Sequence, residues 1–586
     1  MVTTTLPALF FEQAQRRPGA LALRHKEKGI WRRVSWSEYG TKVKAVAAAL
    51  LAFGLRKGEN VAILGENRPE WLYCHLGAMA AGGATCGIYA TCSAEQIEYL
   101  LGHSEARVLF LENEEQLEKV LELLPRTRVE RAVIWDPKGL WGFVDPRVSF
   151  FEAFLLEGRA GAVLPEVGPD DTAMIIYTSG TTGPPKGAML SHANIAAVSS
   201  ALLAAYPLTD DDETLSCLPF AHVYENLISV FQAVRVGYAV NFVERPETLF
   251  QNLREVSPTY FAHVPRLWEK LASSVELRMA DSTFLKRAAY QAALAIARRR
   301  IRSERASLAL TAAHRIAEWL VLRPLRWQLG LDRVRLAVCG AAPASPELFE
   351  FYRSLGLPLV EGYGQTESSG AIAIDRLESR KPGTVGEPLP GIEVTLADDG
   401  EILTKGPHVF KGYFKDPELT ARTIDADGFL HTGDLGAWDG ARLRIVDRKK
   451  DIIVTAGGKN ITPAYIENKL KFSPYIQDAV VVGDRRKFIV ALILIDEDNV
   501  TRFAQDLRIP FGTFADLTRE PEVLKLVGRE VDKVNRTLSQ VESVKKFALL
   551  PRRLYEEDGD VTPTRKVKRR SIEARYAELI TSLYGG

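Results

Sequence analysis

Short apolar runs alternate with helix-like segments along most of this chain. A helix-like stretch from residue 34 to 55 precedes the run VAILGEN, and a turn and a second helix separate that run from ARVLFLE, which ends at Glu112. Further runs are TAMIIYTSG, AVNFVE and RLAVCGAAP, the last of which leads into the helix-like SPELFEFYRSL. A parallel sheet covered by helices on both faces produces this alternation. The sequence therefore predicts an α/β fold for the larger part of the chain.

The pattern changes after about Lys381. Closely spaced glycines separate short alternating runs such as IEVTLA and EILTKG, which predicts a small antiparallel sheet or barrel with tight turns. From Asp447 onward, the strand-like AVVVGD and FIVALILID mix with charged helices, as in a small α+β domain. Because 586 residues exceed what one core supports, we expect at least two domains.

Composition and charge exclude several classes of protein. The 75 basic and 74 acidic residues give a net charge of +1, whereas nucleic-acid-binding domains are usually strongly basic. The N-terminus does not resemble a signal peptide, and no apolar run is long enough to cross a bilayer. The five cysteines form no CxxC pair and are odd in number, so we expect free thiols and a reducing cytoplasm.

One helix-like stretch, residues 283–330, is unusually basic. It contains apolar stripes and two tryptophans, Trp319 and Trp327, and only Glu304 and Glu318 as acids. Its ten basic residues are Lys286, Arg287, Arg298, Arg299, Arg300, Arg302, Arg305, Arg315, Arg323 and Arg326. The favoured interpretation is a solvated helical hairpin packed on the main domain. The alternative is a surface for anionic lipid.

The strongest local signal is the segment AMIIYTSGTTGPPKGAML at residues 173–190. An apolar strand leads directly into threonines, a serine and glycines, and the segment ends in Lys186 and Gly187. Glycines let backbone N–H groups approach an anion, while hydroxyls add donors and a lysine adds charge. The spacing is not that of a Walker A loop, because Pro185 stands where a glycine is needed. The segment predicts a phosphate-binding loop of another kind.

This loop resembles the signature of the adenylate-forming superfamily, which includes acyl-CoA synthetases, luciferases and peptide-synthetase adenylation domains. Further stretches resemble that family's motifs and occur in the family's order. They are LPFAHVYEN (218–226), CGAAP (339–343), GYGQTE (362–367), HTGDLG (431–436), DRKKDIIVTAGGKNITPAYIE (447–467) and TPTRKVKRR (562–570). The resemblance covers essentially the whole chain.

The resemblance also implies an architecture. We expect a large N-terminal domain, residues 1–446, made of two α/β subdomains and a small β-barrel. A smaller α+β domain, residues 447–586, would follow on a hinge.

The family's nucleotide site maps onto residues of this chain. The resemblance implies that Glu367 and the Thr181 hydroxyl hold Mg²⁺, that Tyr363 stacks on adenine, and that Asp434 accepts both ribose hydroxyls. Arg448 would contact ribose or phosphate, and His222 would lie near the acyl-adenylate. The other expected nucleotide-binding residues are Thr178, Ser179, Gly180, Thr182, Gly183, Lys186, Gly340, Ala341, Ala342, Gly364, Gln365 and Thr366.

The C-terminal motifs imply a mobile catalytic lysine. Aligning the basic pattern of TPTRKVKRR places that lysine at Lys566, and Lys568 is the alternative because Arg565 stands where many relatives have glycine. Lys450 falls at the expected pivot. Rotation about it would bring Gly457 and Gly458 to the site and leave room for the pantetheine arm of coenzyme A.

The family's activity is ATP-dependent activation of a carboxylate as an acyl-adenylate, followed by transfer to coenzyme A. The HVYEN context, VPRLWEKL at 264–271, the basic helical stretch and the terminal motif together resemble long-chain acyl-CoA synthetases. Alternatives are an aryl or medium-chain acid, a carrier-protein acceptor, an acyl-AMP ligase that does not use CoA, a luciferase-like oxygenase and a non-catalytic nucleotide sensor. We expect a monomer or homodimer in the cytoplasm, and a further hypothesis is peripheral contact at the inner membrane face.

Overall fold

The computed structural model describes residues 4–159, 161–178, 184–303, 305–556, 558–562 and 566–585. The strands are, in chain order, β1 Leu21–Glu27, β2 Ile30–Ser35, β3 Asn60–Leu64, β4 Ala84–Ile88, β5 Val108–Leu111, β6 Arg131–Ile134, β7 Val148–Phe150, β8 Thr172–Thr178, β9 Lys186–Ser191, β10 Glu213–Ser216, β11 Ala239–Phe242, β12 Tyr260–His263, β13 Leu336–Cys339, β14 Leu359–Tyr363, β15 Ala373–Ile374, β16 Glu387–Pro388, β17 Glu393–Leu396, β18 Glu401–Lys405, β19 Gly412–Tyr413, β20 Leu430–Asp439, β21 Arg442–Arg448, β22 Ile453–Val454, β23 Asn460–Ile461, β24 Ile476–Val482, β25 Ile489–Ile495 and β26 Val544–Leu549.

The α-helices are α1 Leu6–Arg16, α2 Trp36–Phe53, α3 Pro69–Ala80, α4 Ala94–Ser104, α5 Glu114–Leu121, α6 Phe151–Leu156, α7 His192–Ala205, α8 Val223–Asn226, α9 Ala233–Val236, α10 Leu249–Val256, α11 Pro265–Ala280, α12 Phe284–Arg302, α13 Leu308–Ala317, α14 Arg323–Leu329, α15 Pro346–Ser354, α16 Pro417–Thr423, α17 Pro463–Lys471, α18 Glu497–Asp506, α19 Phe514–Arg519, α20 Pro521–Asn535, α21 Arg569–Arg575 and α22 Ala577–Tyr584. Short 3₁₀ turns occupy Leu124–Arg126, Pro246–Thr248 and Thr366–Ser368, and π-helical segments occupy Leu227–Gln232 and Glu318–Leu322.

The largest sheet has the strand order β19-β9-β8-β4-β3-β5-β6-β7. Strands β3 to β8 run parallel, as the apolar runs predict, whereas β9 and β19 are antiparallel. The connection from β8 to β9 is too short for the crossover that a parallel pair needs. Strand β8 thus pairs parallel with β4, as predicted, and also begins an antiparallel hairpin with β9, which the alternation did not predict.

Two further sheets complete the α/β part of the chain. One has the order β12-β13-β14-β15-β16, with β12 to β14 parallel, and the other has the order β10-β11-β1-β2. Helix α2, which leads into the first of the large sheet's strands, begins at a capping box formed by Ser35 and Glu38 and ends at Gly54, whose φ is +94°. Its buried face packs on α1 and α3 in a core that includes Phe10, Trp36 and Tyr39. The predicted α/β class is confirmed.

The glycine-rich region after Lys381 forms an antiparallel sheet with the order β17-β18-β20-β21. Backbone hydrogen bonds join Leu443 of β21 to Val385 and Gly386, next to β16. These bonds attach the antiparallel sheet to the sheet that contains β14 and β16. Tyr363 is the last residue of β14. Strand β21 continues to Arg448, so it contains the first residues of the predicted second domain, and the boundary at residue 447 stays a prediction.

The C-terminal residues build cores of their own. The sheet β24-β25-β26 is apolar on both faces. One face packs under α17 and α20 with residues such as Ile466 and Val527, and the other packs under α21 and α22 with Ile572 and Ile580. Within the described ranges, the buried members of these two clusters all come from residue 453 onward. The described part of the chain has no helix with the length and apolar character needed to span a bilayer.

Candidate active site

The predicted phosphate loop connects β8 to β9. Thr178 and Lys186 pair across this hairpin, so they hold the two ends of the loop together. Ser179, Gly180, Thr181, Thr182 and Gly183 lie outside the described residues. Tyr99 donates its hydroxyl hydrogen to the carbonyl oxygen of Pro185 at 3.0 Å, and the ammonium of Lys186 lies 5.6 Å from the ring centroid of Tyr413. Both described ends of the loop are thus held in place, with a lysine at its C-terminal end.

Glu367 lies in the 3₁₀ turn Thr366–Ser368 beside this hairpin. The hydroxyl of Tyr413 donates to Glu367 Oε1 at 2.7 Å, and the N–H of Phe410 donates to the Glu367 carbonyl oxygen at 2.9 Å. Tyr413 therefore links the expected metal-binding carboxylate to Lys186. Sequence reasoning missed Tyr413, whose only local signal is the Gly-Tyr pair in KGYFKDPE. Its role depends on the pairing of β19 with β9, which no local pattern predicts.

The expected adenine-binding residues follow two neighbouring parallel strands. Gly340, Ala341 and Ala342 follow β13, Tyr363 ends β14, and Gly364 and Gln365 come next. Ala341 has a φ of +66°, and a Cβ on Gly364 would lie 2.4 Å from the carbonyl oxygen of Gly370. Close backbone packing therefore explains the glycine at residue 364, and the buried Thr366 closes the same turn.

The expected ribose residues form a connected group. Tyr363 donates its hydroxyl hydrogen to Asp434 Oδ2 at 2.8 Å, and Arg448 Nε lies 3.4 Å from Asp434 Oδ1. Asp434 and Arg448 are also register partners on β20 and β21. Burial raises the pKa of Asp434, while the Arg448 cation acts against that shift. Motifs that are about seventy residues apart thus meet at one buried carboxylate.

Lys566 reaches this group from the C-terminal part of the chain. Its ammonium donates to the carbonyl oxygen of Ala341 at 2.6 Å. The residue as a whole is exposed, but loss of hydration around the ammonium, together with the Arg448 cation, lowers the pKa of Lys566 to about 8. Lys568 has a different position, because its N–H donates to Asp560 and its carbonyl oxygen accepts from Ser571 at the start of α21. The structure thus brings Lys566, and not Lys568, to the Gly340–Ala342 segment, where adenine binding is expected.

His222 caps helix α8 with a neutral ring. Its Nδ1 accepts the N–H of Tyr224 at 3.1 Å, and burial, reinforced by the Lys566 cation, lowers the pKa of His222 to about 3. The following Glu225 is fully enclosed and accepts hydrogen bonds from Ser229 and from the N–H of Leu218. Burial raises its pKa to about 7. Sequence reasoning missed this buried acid, although it lies in the same HVYEN motif.

The expected hinge and CoA residues have different positions: Lys450 lies within electrostatic reach of Arg448 and Asp434, whereas the glycine pair does not contact this group. Lys450 follows β21, and burial followed by the Arg448 charge lowers its pKa. Gly457 and Gly458 occupy the exposed tip of the β22–β23 hairpin, where a Cβ would meet nothing within 4 Å. This arrangement has Lys566 at the site and the glycine segment in solvent.

The charges of the described side chains suit a ligand that carries phosphate groups. Lys186, Arg448 and Lys566 supply positive charge, and Asp434 and Glu367 supply carboxylate oxygens. Across the described ranges, no cluster of three or more His, Cys, Asp or Glu side chains could hold a metal by itself. A single carboxylate beside a phosphate loop nevertheless fits Mg²⁺, which usually binds one or two carboxylates and completes its shell with water and substrate phosphates.

Comparison with known proteins decides the family. The sequence profile of AMP-binding enzymes matches residues 10–414, and the profile of the AMP-binding enzyme C-terminal domain matches residues 450–586. The chain is a member of the AMP-binding enzyme family. This AMP-binding enzyme is 36% identical to the long-chain-fatty-acid–CoA ligase FadD15 of Mycobacterium bovis over 98% of this chain and 96% of that protein. It is 33% identical to the long-chain-fatty-acid–CoA ligase ACSBG2 of Rattus norvegicus over 99% of this chain and 93% of that protein.

A solved structure supports the fold of this AMP-binding enzyme. The adenylation domain of a carboxylate reductase from Mycobacterium chelonae superposes with a TM-score of 0.77 and 22% identity. The superposition covers 100% of this chain and 91% of that domain. At this identity, the likeness concerns the fold alone. The arrangement of a large N-terminal and a smaller C-terminal domain is therefore shared.

Proposed function

We propose that this enzyme activates a long-chain fatty acid with ATP and transfers the acyl group to coenzyme A. The first half-reaction would form acyl-AMP and release pyrophosphate. The second would form acyl-CoA and release AMP. The support is twofold: full-length relatives at 31–36% identity are named long-chain-fatty-acid–CoA ligases, and the site combines phosphate-binding, ribose-binding and cationic residues.

One observation carries this proposal furthest. The Lys566 ammonium crosses from the C-terminal part of the chain to the Ala341 carbonyl oxygen, next to the Tyr363–Asp434–Arg448 group. A nucleotide stacked on Tyr363, with its ribose on Asp434, would direct its innermost phosphate toward this cation. A site that only stored a nucleotide would not need a lysine from a second domain at this position.

The first half-reaction brings two anions together. A carboxylate oxygen attacks the α-phosphorus of ATP, the bond to the bridging oxygen breaks, and pyrophosphate leaves with that electron pair. We assign to Lys566 the orientation of the carboxylate and the α-phosphate, as a cation and not as a base. Lys186, Thr178 and the neighbouring Ser179 and Thr182 would bind the outer phosphates. Neutral His222 would face the acyl group.

Mg²⁺ is part of this proposal. Glu367, with the Thr181 hydroxyl, would hold the ion. When bound, it would neutralise charge on the phosphate oxygens. The hydrogen bond from Tyr413 orients the Glu367 carboxylate. Tyr413 thus prepares an oxygen ligand at the end of the phosphate loop.

In the second half-reaction, a different face of the C-terminal part would contact the active site. The CoA thiolate attacks the acyl carbonyl carbon, and AMP leaves with the electrons of the C–O bond. Rotation about Lys450 would withdraw Lys566 and bring Gly457 and Gly458 toward the site. Their exposure in the present arrangement supports the proposal that this is the adenylation state.

A panel of acids tests both the activity and the substrate class. ATP–pyrophosphate exchange is measured with palmitate, octanoate, benzoate and acetate, and AMP release is measured with and without CoA. We expect palmitate to give the fastest exchange and CoA to be needed for multiple turnovers of AMP. Fastest exchange with acetate or benzoate would contradict the long-chain assignment, and turnover that depends on a carrier protein in place of CoA would support that alternative.

Location and assembly are also proposals. All five cysteines lie among the described residues and are free thiols, which suits the cytoplasm. We propose a monomer or homodimer that works there on fatty acid, ATP and CoA.

A further inference from the structure

The basic helical stretch carries an exposed apolar face. Helix α13, the π-helical segment and α14 form one continuous helical run from Leu308 to Leu329, because the joining residues Glu318 and Arg323 keep helical backbone angles. Its outward side chains include Leu308 (91% exposed), Ile316 (60%), Trp319 (70%) and Trp327 (68%). Consecutive members are eight, three and eight residues apart, and all four are exposed, so they lie on the solvent side of this run. We call these four residues, with Leu320, the outer face.

The opposite side of the same helix is also apolar. Ala317, Leu322, Leu325 and Leu329 are buried against the domain core. A surface helix ordinarily directs polar side chains outward. The expected helical hairpin packed on the main domain is present. On this side, however, large apolar residues, two of them tryptophans, also face the solvent.

Basic side chains border the outer face. Arg315 and Arg323 lie on the same helix and are exposed, and Lys286, Arg298 and Arg299 are exposed on the neighbouring α12. The acid Glu318 pairs with Arg326, and Arg302 pairs with Glu350. Helix α12 also begins with two exposed apolar residues, Phe284 and Leu285. The surface therefore combines exposed tryptophan and aliphatic groups with an excess of positive charge.

We propose that the outer face binds the surface of a membrane that contains anionic phospholipids. Tryptophan rings favour the boundary between headgroups and acyl chains, and arginines favour anionic headgroups. A second copy of this chain would bring the same positive charges together, which opposes self-association through this face. Binding would hold the enzyme at the surface into which long-chain acids partition, but the binding itself does not depend on the proposed activity.

Vesicle flotation of the full-length protein tests this proposal. Wild type is mixed with vesicles of phosphatidylcholine alone or with 30% phosphatidylglycerol, at about 50 mM and about 500 mM salt. We expect binding to the anionic vesicles at low salt and at least a fivefold weaker partition at high salt, because screening shortens the reach of surface charges. The double variant Trp319→Ala/Trp327→Ala and the double variant Arg315→Gln/Arg323→Gln should each partition about tenfold more weakly.

Matched controls come from other exposed residues. Trp141 is 92% exposed and Arg56 and Arg485 are exposed elsewhere, so Trp141→Ala and Arg56→Gln/Arg485→Gln should bind like wild type. Octanoate-dependent pyrophosphate release without vesicles should be the same in all variants, which separates this test from that of the proposed function. Absent binding at low salt, equal binding to neutral vesicles, or equal loss in the controls would overturn the proposal. So would a dimer, seen by light scattering, that only the outer-face variants dissociate.

Discussion

The Lys566 ammonium donates a hydrogen bond to the Ala341 carbonyl oxygen at 2.6 Å across 225 residues of sequence. Ala341 belongs to the segment that follows β13, and its φ of +66° sets the direction of the peptide groups around it. The contact joins the C-terminal part of the chain to the Gly340–Ala342 segment of the N-terminal part. In the present arrangement, Lys566 therefore contacts the N-terminal part of the chain.

Replacement of Lys566 by alanine should separate the two half-reactions. Under the proposed mechanism, loss of the Lys566 cation should slow adenylation about 10²- to 10³-fold. Thioesterification of supplied acyl-AMP should change less than threefold, because the proposed rotation withdraws the lysine before that step. Single-turnover assays of each half-reaction measure this, with Lys568→Ala as the matched control. Equal losses in both half-reactions would contradict the division of roles.

The pH dependence of adenylation should report the same lysine. Since the pKa of Lys566 is lowered to about 8, its charged fraction falls as the pH rises through 8. We expect kcat/KM for ATP to decline above that pH, approaching tenfold per unit. In Lys566→Arg the rate should be lower, but this alkaline decline should disappear, because a guanidinium stays charged. An unchanged alkaline limb in the arginine variant would assign the titration to another group.

Tyr413 should act through Glu367. Tyr413→Phe keeps the ring beneath Lys186 but removes the hydroxyl that donates to Glu367 Oε1. We expect about a five- to tenfold rise in the Mg²⁺ concentration needed for half-maximal adenylation, since one oriented hydrogen bond contributes about 1 kcal/mol. Glu367→Gln should cause a larger loss that added Mg²⁺ restores only in part. Thermal unfolding of both variants checks that the fold is intact; a Mg²⁺ requirement unchanged in Tyr413→Phe would refute the link.

The ion pair between Lys469 and Glu347 should bias the domain arrangement. Lys469 Nζ lies 2.7 Å from Glu347 Oε1, and the lysine side chain is largely buried. Glu347→Gln should weaken the present arrangement by on the order of 1 kcal/mol, which corresponds to about fivefold. Adenylation should fall and thioesterification should rise. Glu350→Gln is the matched control, because Glu350 lies on the same helix and pairs with Arg302. If the rates of both half-reactions changed in the same direction, the ion pair would not favour one domain arrangement over the other.

Much of the fold was predictable from local pattern. Strand β5 ends one residue before Glu112, and the helix expected after RLAVCGAAP is α15. The contacts that form the site were harder to predict from the sequence. The hydrogen bond from Tyr363 to Asp434 joins residues 71 positions apart, and Tyr413 reaches Glu367 through the pairing of β19 with β9. Resemblance to family motifs identified Tyr363 and Asp434. Tyr413 and the buried Glu225 carry no periodic signal, so only the tertiary structure shows their positions.

The exposed side of the Leu308–Leu329 run shows a second limit of prediction from sequence. Helical periodicity identifies apolar stripes, but it cannot tell which stripe faces the core when both sides are apolar. The structure buries Leu322 and Leu329 and leaves Trp319 and Trp327 exposed.

Isotope transfer from the acid to AMP tests the central claim most directly. The enzyme is incubated with ATP, CoA and palmitate labelled with ¹⁸O in both carboxylate oxygens, and the released AMP and pyrophosphate are examined by mass spectrometry. Attack of the carboxylate on the α-phosphorus predicts one ¹⁸O in each AMP and none in pyrophosphate. Label in pyrophosphate or inorganic phosphate, or unlabelled AMP alongside acyl-CoA, would contradict the account.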